Sequence, residues 1–155
     1  MIQKIPNSII FSRSAYLQIQ QSVEKVANFY EIGGILIGYK SGSSHYIEAI
    51  TVDSGNCETS QTTFVLNGEL HTHMAQKIID SSKRPLALLG VWHSHICDTA
   101  RFSRQDRDAN KTLANILNGA LSVLVTRHEK AMEVKMCGYY IAPDNSEYYQ
   151  NIVIE

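Results

Sequence analysis

Two histidines flank a serine in Gly90-Val91-Trp92-His93-Ser94-His95, and after a seven-residue gap comes Ser103-Arg104-Gln105-Asp106. The apolar run from Leu86 to Trp92 reads as a buried strand. Alternate side chains of a strand share a face, so His93 and His95 project together and both imidazoles can reach one ion. Zinc sites of the catalytic kind take three protein ligands from His, Asp, Glu and Cys and keep a fourth position open for water. Asp106 is the natural third ligand, because the chain after His95 is long enough to leave the strand and bring a carboxylate back through the next element. An ion held by two neutral imidazoles and one carboxylate keeps positive charge and lowers the pKa of the water it holds, which is the chemistry of hydrolysis. Such chemistry also needs a carboxylate that is not a ligand, to take the proton of the attacking water and pass it on.

A second reading applies to part of the pattern. Ser103-x-x-Asp106, ahead of Ala109, Leu113, Ile116 and Leu117, also reads as a helix start, with Ser103 as N-cap and Asp106 as its capping-box partner. That use leaves the two same-face histidines unexplained. Ser94 points to the opposite strand face and is expected to be a structural hydrogen-bonder, while Trp92 shares that side and is expected in the core. His71 and His73 lie two apart on a predicted helix, about 200° from one another, so they are unsuited to sharing an ion. Both are expected at the surface or in a substrate groove.

The elements that must hold these residues can be read from periodicity. A short strand is expected at Ser8 to Phe11. Tyr16, Ile19, Val23, Val26, Ala27 and Tyr30 recur at three- and four-residue steps, which predicts an amphipathic helix from Ser12 or Ser14 to about Asn28. Gly33 to Tyr39 and Tyr46 to Val52, separated by Ser41-Gly42-Ser43-Ser44, predict a hairpin. Thr62 to Leu66 is expected as a short strand. A helix from Gly68 to Ser81 or Ser82 then turns Leu70, Met74, Ile78 and Ile79 inward. Pro85 opens the strand of the two histidines, the helix from Ser103 runs to about Asn118 and stops at Gly119, and Ala120 to Thr126, Ala131 to Ala142 and Tyr148 to Ile154 are three closing strands. Strands and helices are mixed rather than regularly alternating, so the expected class is α+β.

Composition narrows the partners. A chain of 155 residues with 44% hydrophobic and 19% charged residues suits one globular domain with its own core. The formal net charge of -1 gives no electrostatic case for nucleic acid or an anionic membrane. The N-terminus lacks the apolar core and cleavage site of a signal peptide, and no eighteen-residue apolar run exists, so a cytoplasmic location is expected. Cys57, Cys97 and Cys137 are odd in number and far apart, which predicts free thiols.

The His93-Ser94-His95 and Ser103-Arg104-Gln105-Asp106 pattern resembles the signature of the JAMM (MPN+, or JAB) zinc metalloproteases, isopeptidases that remove ubiquitin or ubiquitin-like proteins from their targets. That pattern includes a glutamate upstream, at the start of a glycine-containing strand, and Glu31-Ile32-Gly33-Gly34 supplies it. The resemblance spans residues 31 to 106, and its flanking elements extend it over nearly the whole chain. It implies a mixed β-sheet flanked by about three helices in a single MPN/JAB domain of cytidine-deaminase-like type, with Zn2+ on His93, His95 and Asp106. It further implies Glu31 as the acid/base and Ser103 as an oxyanion donor. The compact length is similar to the prokaryotic JAB branch, which includes deconjugating peptidases of anti-phage operons with E1- and E2-like enzymes. The implied partner is a ubiquitin-like protein or its conjugate, with a cGAS-like nucleotidyltransferase as one target. Its tail is expected as an added strand near Thr62 to Leu66.

Two departures stand out. Many relatives carry proline after the second histidine, where this chain has Ile96. Cys97 then lies two residues past a ligand and is a candidate thiolate modulator of the site. Two other functions fit the fold expectation: a catalytically inactive MPN scaffold, which normally lacks one or more of the ligands present here, and a RadC-like nucleic-acid-associated protein, against which the neutral charge weighs.

Overall fold

The computed structural model describes residues 4–26, 31–52, 68–95, 101–127 and 134–155. In chain order the elements are β1 (Ser8–Phe11), α1 (Arg13–Val26), β2 (Gly33–Ser41), β3 (Ser44–Ile50), α2 (Gly68–Ser81), β4 (Ala87–Ser94), α3 (Arg104–Leu117), β5 (Ala120–Arg127), β6 (Val134–Ile141) and β7 (Glu147–Ile154). The α+β class, the three helices and the mixed sheet follow the expectation, and element ends within the described residues shift by a few positions at most, while the predicted helix end near Asn28 and strand start at Ala131 lie outside those residues. The predicted strand at Thr62 to Leu66, Cys57 and Cys97 lie outside the described residues. Cys137 is half-buried and in no disulfide.

The strands run in the order β1-β3-β2-β4-β5-β6-β7 and the sheet closes on itself. Closure comes from β1, which is parallel to both β3 and β7, with Ser8 opposite Ser44 on one side and Asn151 on the other. The strand of the two histidines, β4, is antiparallel to β2 and parallel to β5. Inside the sheet, Ile9, Phe11, Leu36, Ile47, Trp92, Leu121 and Val123 form one core with Ala15, Ile19 and Val23 of α1. Each large side chain so buried contributes about 1.5–3 kcal/mol. Helix α1 starts where Ser12 Oγ accepts the Ala15 N–H at 3.1 Å, a serine N-cap. On the outer face Ala75 of α2 packs with Ile35 and Ile37 of β2, and Ala114 of α3 packs with Ala120 of β5 and Ile141 of β6.

The structure corrects the reading of α2. His71, expected at the surface or in a groove, is completely buried, and the buried row of the helix is His71 and Ala75, with Leu70, Met74, Ile78 and Ile79 only partly covered. The reason is a polar partner the helix pattern does not reveal: Thr51 Oγ1 shares a 2.7 Å hydrogen bond with His71 Nδ1 and accepts the Ile35 N–H at 2.8 Å. A buried imidazole with a partner is tolerated in a core. His73 is exposed, as expected. Trp92 is fully buried, with Nε1–H donating to the Thr51 carbonyl at 3.0 Å. Among the described residues no helix is long and apolar enough to cross a membrane.

At the other end of β4 from the histidine pair, His45 of β3 is 7% exposed. Burial, and behind it the Lys40 ammonium, lowers its pKa to about 4. The sign follows directly. Unfolded His45 binds a proton near its ordinary 6.5 and folded His45 does not until about 4, so its contribution to stability is whole above pH 6.5 and is lost as pH falls towards 4. Wild type is expected to lose about 2 kcal/mol more than His45→Gln between pH 7.5 and 4.5, measured by denaturant unfolding. Parallel losses in the two proteins would refute this.

Candidate metal centre

The face of β4 that carries the histidines is set by alternation: Trp92 and Ser94 point one way, His93 and His95 the other. His95 is held at the strand end by its N–H, which donates to the Val125 carbonyl at 2.9 Å. Phe102, nearly buried, lies with its ring centroid 6.4 Å from that of His93 and 5.0 Å from that of Tyr139. That packing fixes where the chain re-enters to start α3.

Helix α3 begins with both halves of a capping box. Ser103 Oγ accepts the Asp106 N–H at 3.0 Å, and Asp106 Oδ2 accepts the Ser103 N–H at 2.8 Å. The helix-start reading of Ser103 and Asp106 is therefore realised, and the same geometry leaves the Asp106 carboxylate beside the two imidazoles. Asp106 Oδ1 lies 3.4 Å from His93 Nε2 and Oδ2 lies 3.3 Å from His95 Nε2. The two Nε2 atoms are 3.3 Å apart. Ligands bonded to zinc at about 2.0–2.1 Å in a tetrahedron stand about 3.3–3.4 Å from one another; the two imidazole nitrogens have that spacing, and each has one of the two Asp106 oxygens at the same distance. His93, His95 and Asp106 thus form a group able to hold a metal ion. Burial works to raise the Asp106 pKa, but the hydrogen bonds from His93 and His95, the nearby charge of His93 and the Ser103 N–H outweigh it and hold the carboxyl well below the usual range. Asp106 is thus held anionic, the form in which a carboxylate is able to coordinate a metal.

Glu31 arrives from the start of β2. Gly33 pairs with His93 across the β2–β4 ladder, so by the two-residue alternation Glu31 faces the same side as the histidines. Ser94 fixes the intervening residue twice: its N–H donates to the Ile32 carbonyl at 2.7 Å, and its Oγ accepts the Ile32 N–H at 3.0 Å. The serine between the histidines is thereby the clamp that holds the Glu31 segment against β4, matching its expected structural role. Glu31 is 8% exposed. Burial raises its pKa, against the pull of the His95 and His93 imidazoles and with the help of the Asp106 charge. An acid so placed has the raised affinity for protons that a general acid/base needs.

All five residues singled out from the sequence converge here. Ser103 is exposed, and with its oxygen accepting from Asp106 its hydroxyl proton is still available to a ligand. Asn110, one turn beyond Asp106 on α3, lines the same cavity as His93 and Asp106 and is not singled out by the sequence reading; the signal for it is a polar residue at i+4 from a candidate ligand, inside an otherwise apolar stripe.

Residues 14–138 match the family of prokaryotic homologs of the JAB domain. The solution structure of protein DSY2949 from Desulfitobacterium hafniense is similar in fold, with a TM-score of 0.71 at 20% identity over 95% of this chain and 92% of that one. No curated protein matches.

Proposed function

The chain belongs to the prokaryotic homologs of the JAB domain, and from that premise we infer that it is a zinc-dependent peptidase or isopeptidase. We take it to cleave after the C-terminal residue of a ubiquitin-like protein, maturing that protein or releasing it from a target. The observation that carries this reading is the cluster of His93 and His95 Nε2 atoms 3.3 Å apart, each within 3.4 Å of one Asp106 carboxylate oxygen, with Glu31 on the same side of the sheet. Zinc bound there supplies Lewis acidity and lowers the pKa of water. Glu31 takes a proton from the attacking water and delivers it to the departing nitrogen. The Ser103 hydroxyl donates to the oxygen on which negative charge develops. Water adds across the C–N bond, so the acyl product leaves as a carboxylate and the other fragment as an amine.

The test is metal content and cleavage measured together. The purified chain is expected to bind one zinc and to cleave a ubiquitin-like fusion, with chelator abolishing cleavage and zinc restoring it. Asp106→Ala is expected to lose both zinc and activity, since two imidazoles alone are too few ligands. A folded wild-type chain that takes up no zinc would sink the reading.

A further inference from the structure

Not all apolar positions of α3 enter the core. Ala109, Leu113 and Ile116, at helical spacing, line a cavity of about 340 Å³ together with Val91 of β4, and the same cavity is bordered by His93 and Asp106. Ile116 is 73% exposed. The buried row of the helix is Asn110 and Ala114 instead. Asn110 lines the cavity and is only 4% exposed. Its Oδ1 accepts from Ser122 Oγ at 2.9 Å, while its Nδ2 meets no acceptor among the described residues. Buried amide donors are almost always paired. An apolar cleft ending at a cluster of metal-binding residues, with one buried donor to spare, is the layout of a ligand subsite.

We propose that this cleft is the leaving-group subsite, and that it takes an α-linked peptide residue with a large apolar side chain. The inference rests on the hydrolase reading above. In the hydrolase reading the acyl side is a ubiquitin-like tail ending in glycine, which has no side chain to fill the space. A lysine joined through its ε-amine brings four methylenes and no acceptor along that length. An ordinary peptide residue brings both requirements: a side chain to pack on Val91, Leu113 and Ile116, and a backbone carbonyl to accept from Asn110 Nδ2–H once that enclosed amide turns outward from the cleft wall. Hydrolysis then leaves a carboxylate on the acyl fragment and a free α-amino group on the apolar residue. The substrate class is a precursor with an apolar residue directly after the cleavage point, and the reaction is maturation rather than removal from lysine.

Two measurements on the zinc-loaded full chain test this. In the first, the Asn110 side-chain amide, assigned in an NMR spectrum by its loss in Asn110→Asp, is followed while leucyl-alaninamide, glycyl-glycinamide or Nα-acetyl-lysinamide is added. A saturable shift is expected with the leucyl peptide and a far weaker one with the other two. No saturable shift, or an equal one with the lysine compound, overturns the proposal. In the second, a linear Gly-Leu fusion is compared with an ε-lysyl conjugate of the same acyl protein. The linear substrate is expected to have the higher kcat/KM, and Asn110→Leu to lower it by about five- to tenfold, with a smaller loss on the conjugate. Ile116→Glu, at an exposed site whose substitution leaves the core intact, is expected to do the same. Preference for the conjugate, or equal losses on both, overturns the proposal while the hydrolase reading stands. A saturable amide shift with no cleavage of either substrate overturns the hydrolase reading and leaves the cleft as a peptide-binding site.

Discussion

Glu31→Gln is expected to lower kcat/KM on any cleaved fusion by about 10²–10⁴-fold, the usual contribution of a positioned acid/base, without loss of zinc. The substitution keeps shape and most hydrogen bonding but removes the proton carrier. Asp106→Ala loses the ion as well, so the pair separates proton transfer from metal binding. A second consequence comes from burial. Glu31 has its pKa raised in the folded chain, so the metal-free protein binds that proton more tightly than the unfolded chain does. The Glu31 contribution to stability is whole below the ordinary 4.5 and is lost as pH rises through the folded value. Metal-free Glu31→Gln should therefore be more stable than metal-free wild type at pH 7, and the gap should close towards pH 4. Activity within tenfold of wild type would remove Glu31 from the chemistry, and a less stable variant at pH 7 would remove the electrostatic account of its burial.

Gly90→Ala is expected to be among the most damaging single-methyl additions in the chain. A Cβ at Gly90 would lie 1.9 Å from the Leu121 carbonyl oxygen and 2.7 Å from the Leu121 carbonyl carbon and nitrogen. These are backbone atoms of the neighbouring strand, which cannot rotate away, and Gly90 is paired with Leu121 in the parallel β4–β5 ladder. Relief requires parting β4 from β5 three residues before His93. The cost is expected to reach about 3 kcal/mol or more, the upper end for overpacking, which lowers Tm by roughly 6–12 °C in a chain of this size. Zinc affinity should fall with it, because the register that aims His93 is the one disturbed. Gly68→Ala is the control: a Cβ there meets nothing within 4 Å, so its Tm should stay level or rise. A Gly90→Ala protein with the thermal midpoint and zinc affinity of wild type would show that the strand pair yields more easily than its spacing allows.

What the sequence disclosed was what depends on local periodicity. His93 and His95 are readable as a pair because a strand alternates, Asp106 because its spacing coincides with a helix start, and the helices because their apolar stripes repeat. Glu31 is one of nine glutamates and could be chosen only through the family pattern, since its partners are brought near by a ladder between β2 and β4. His71 was misread because its burial depends on Thr51, twenty positions earlier and in a different element. The stripe of α3 was legible as apolar but not as facing a cavity: whether Leu113 and Ile116 meet a core or a cleft is decided by where β4 and β5 lie beneath the helix. Closure of the sheet was invisible for the same reason, because β1 meets β7 across almost the whole chain.

That seam also governs how the molecule forms and breathes. Joining Ser8 to Asn151 encloses a very long loop, whose entropy must be overcome before the four-residue strand gains anything from it. The ring is expected to seal late in folding, and amide protons along the seam should exchange with solvent sooner than those of β2, β4 and β5. In the ring order β4 stands opposite β1. Transient opening at the seam would therefore leave the imidazole-bearing strand seated between two long neighbours, so the part of the protein that carries the candidate metal-binding pair is the part that unzips last.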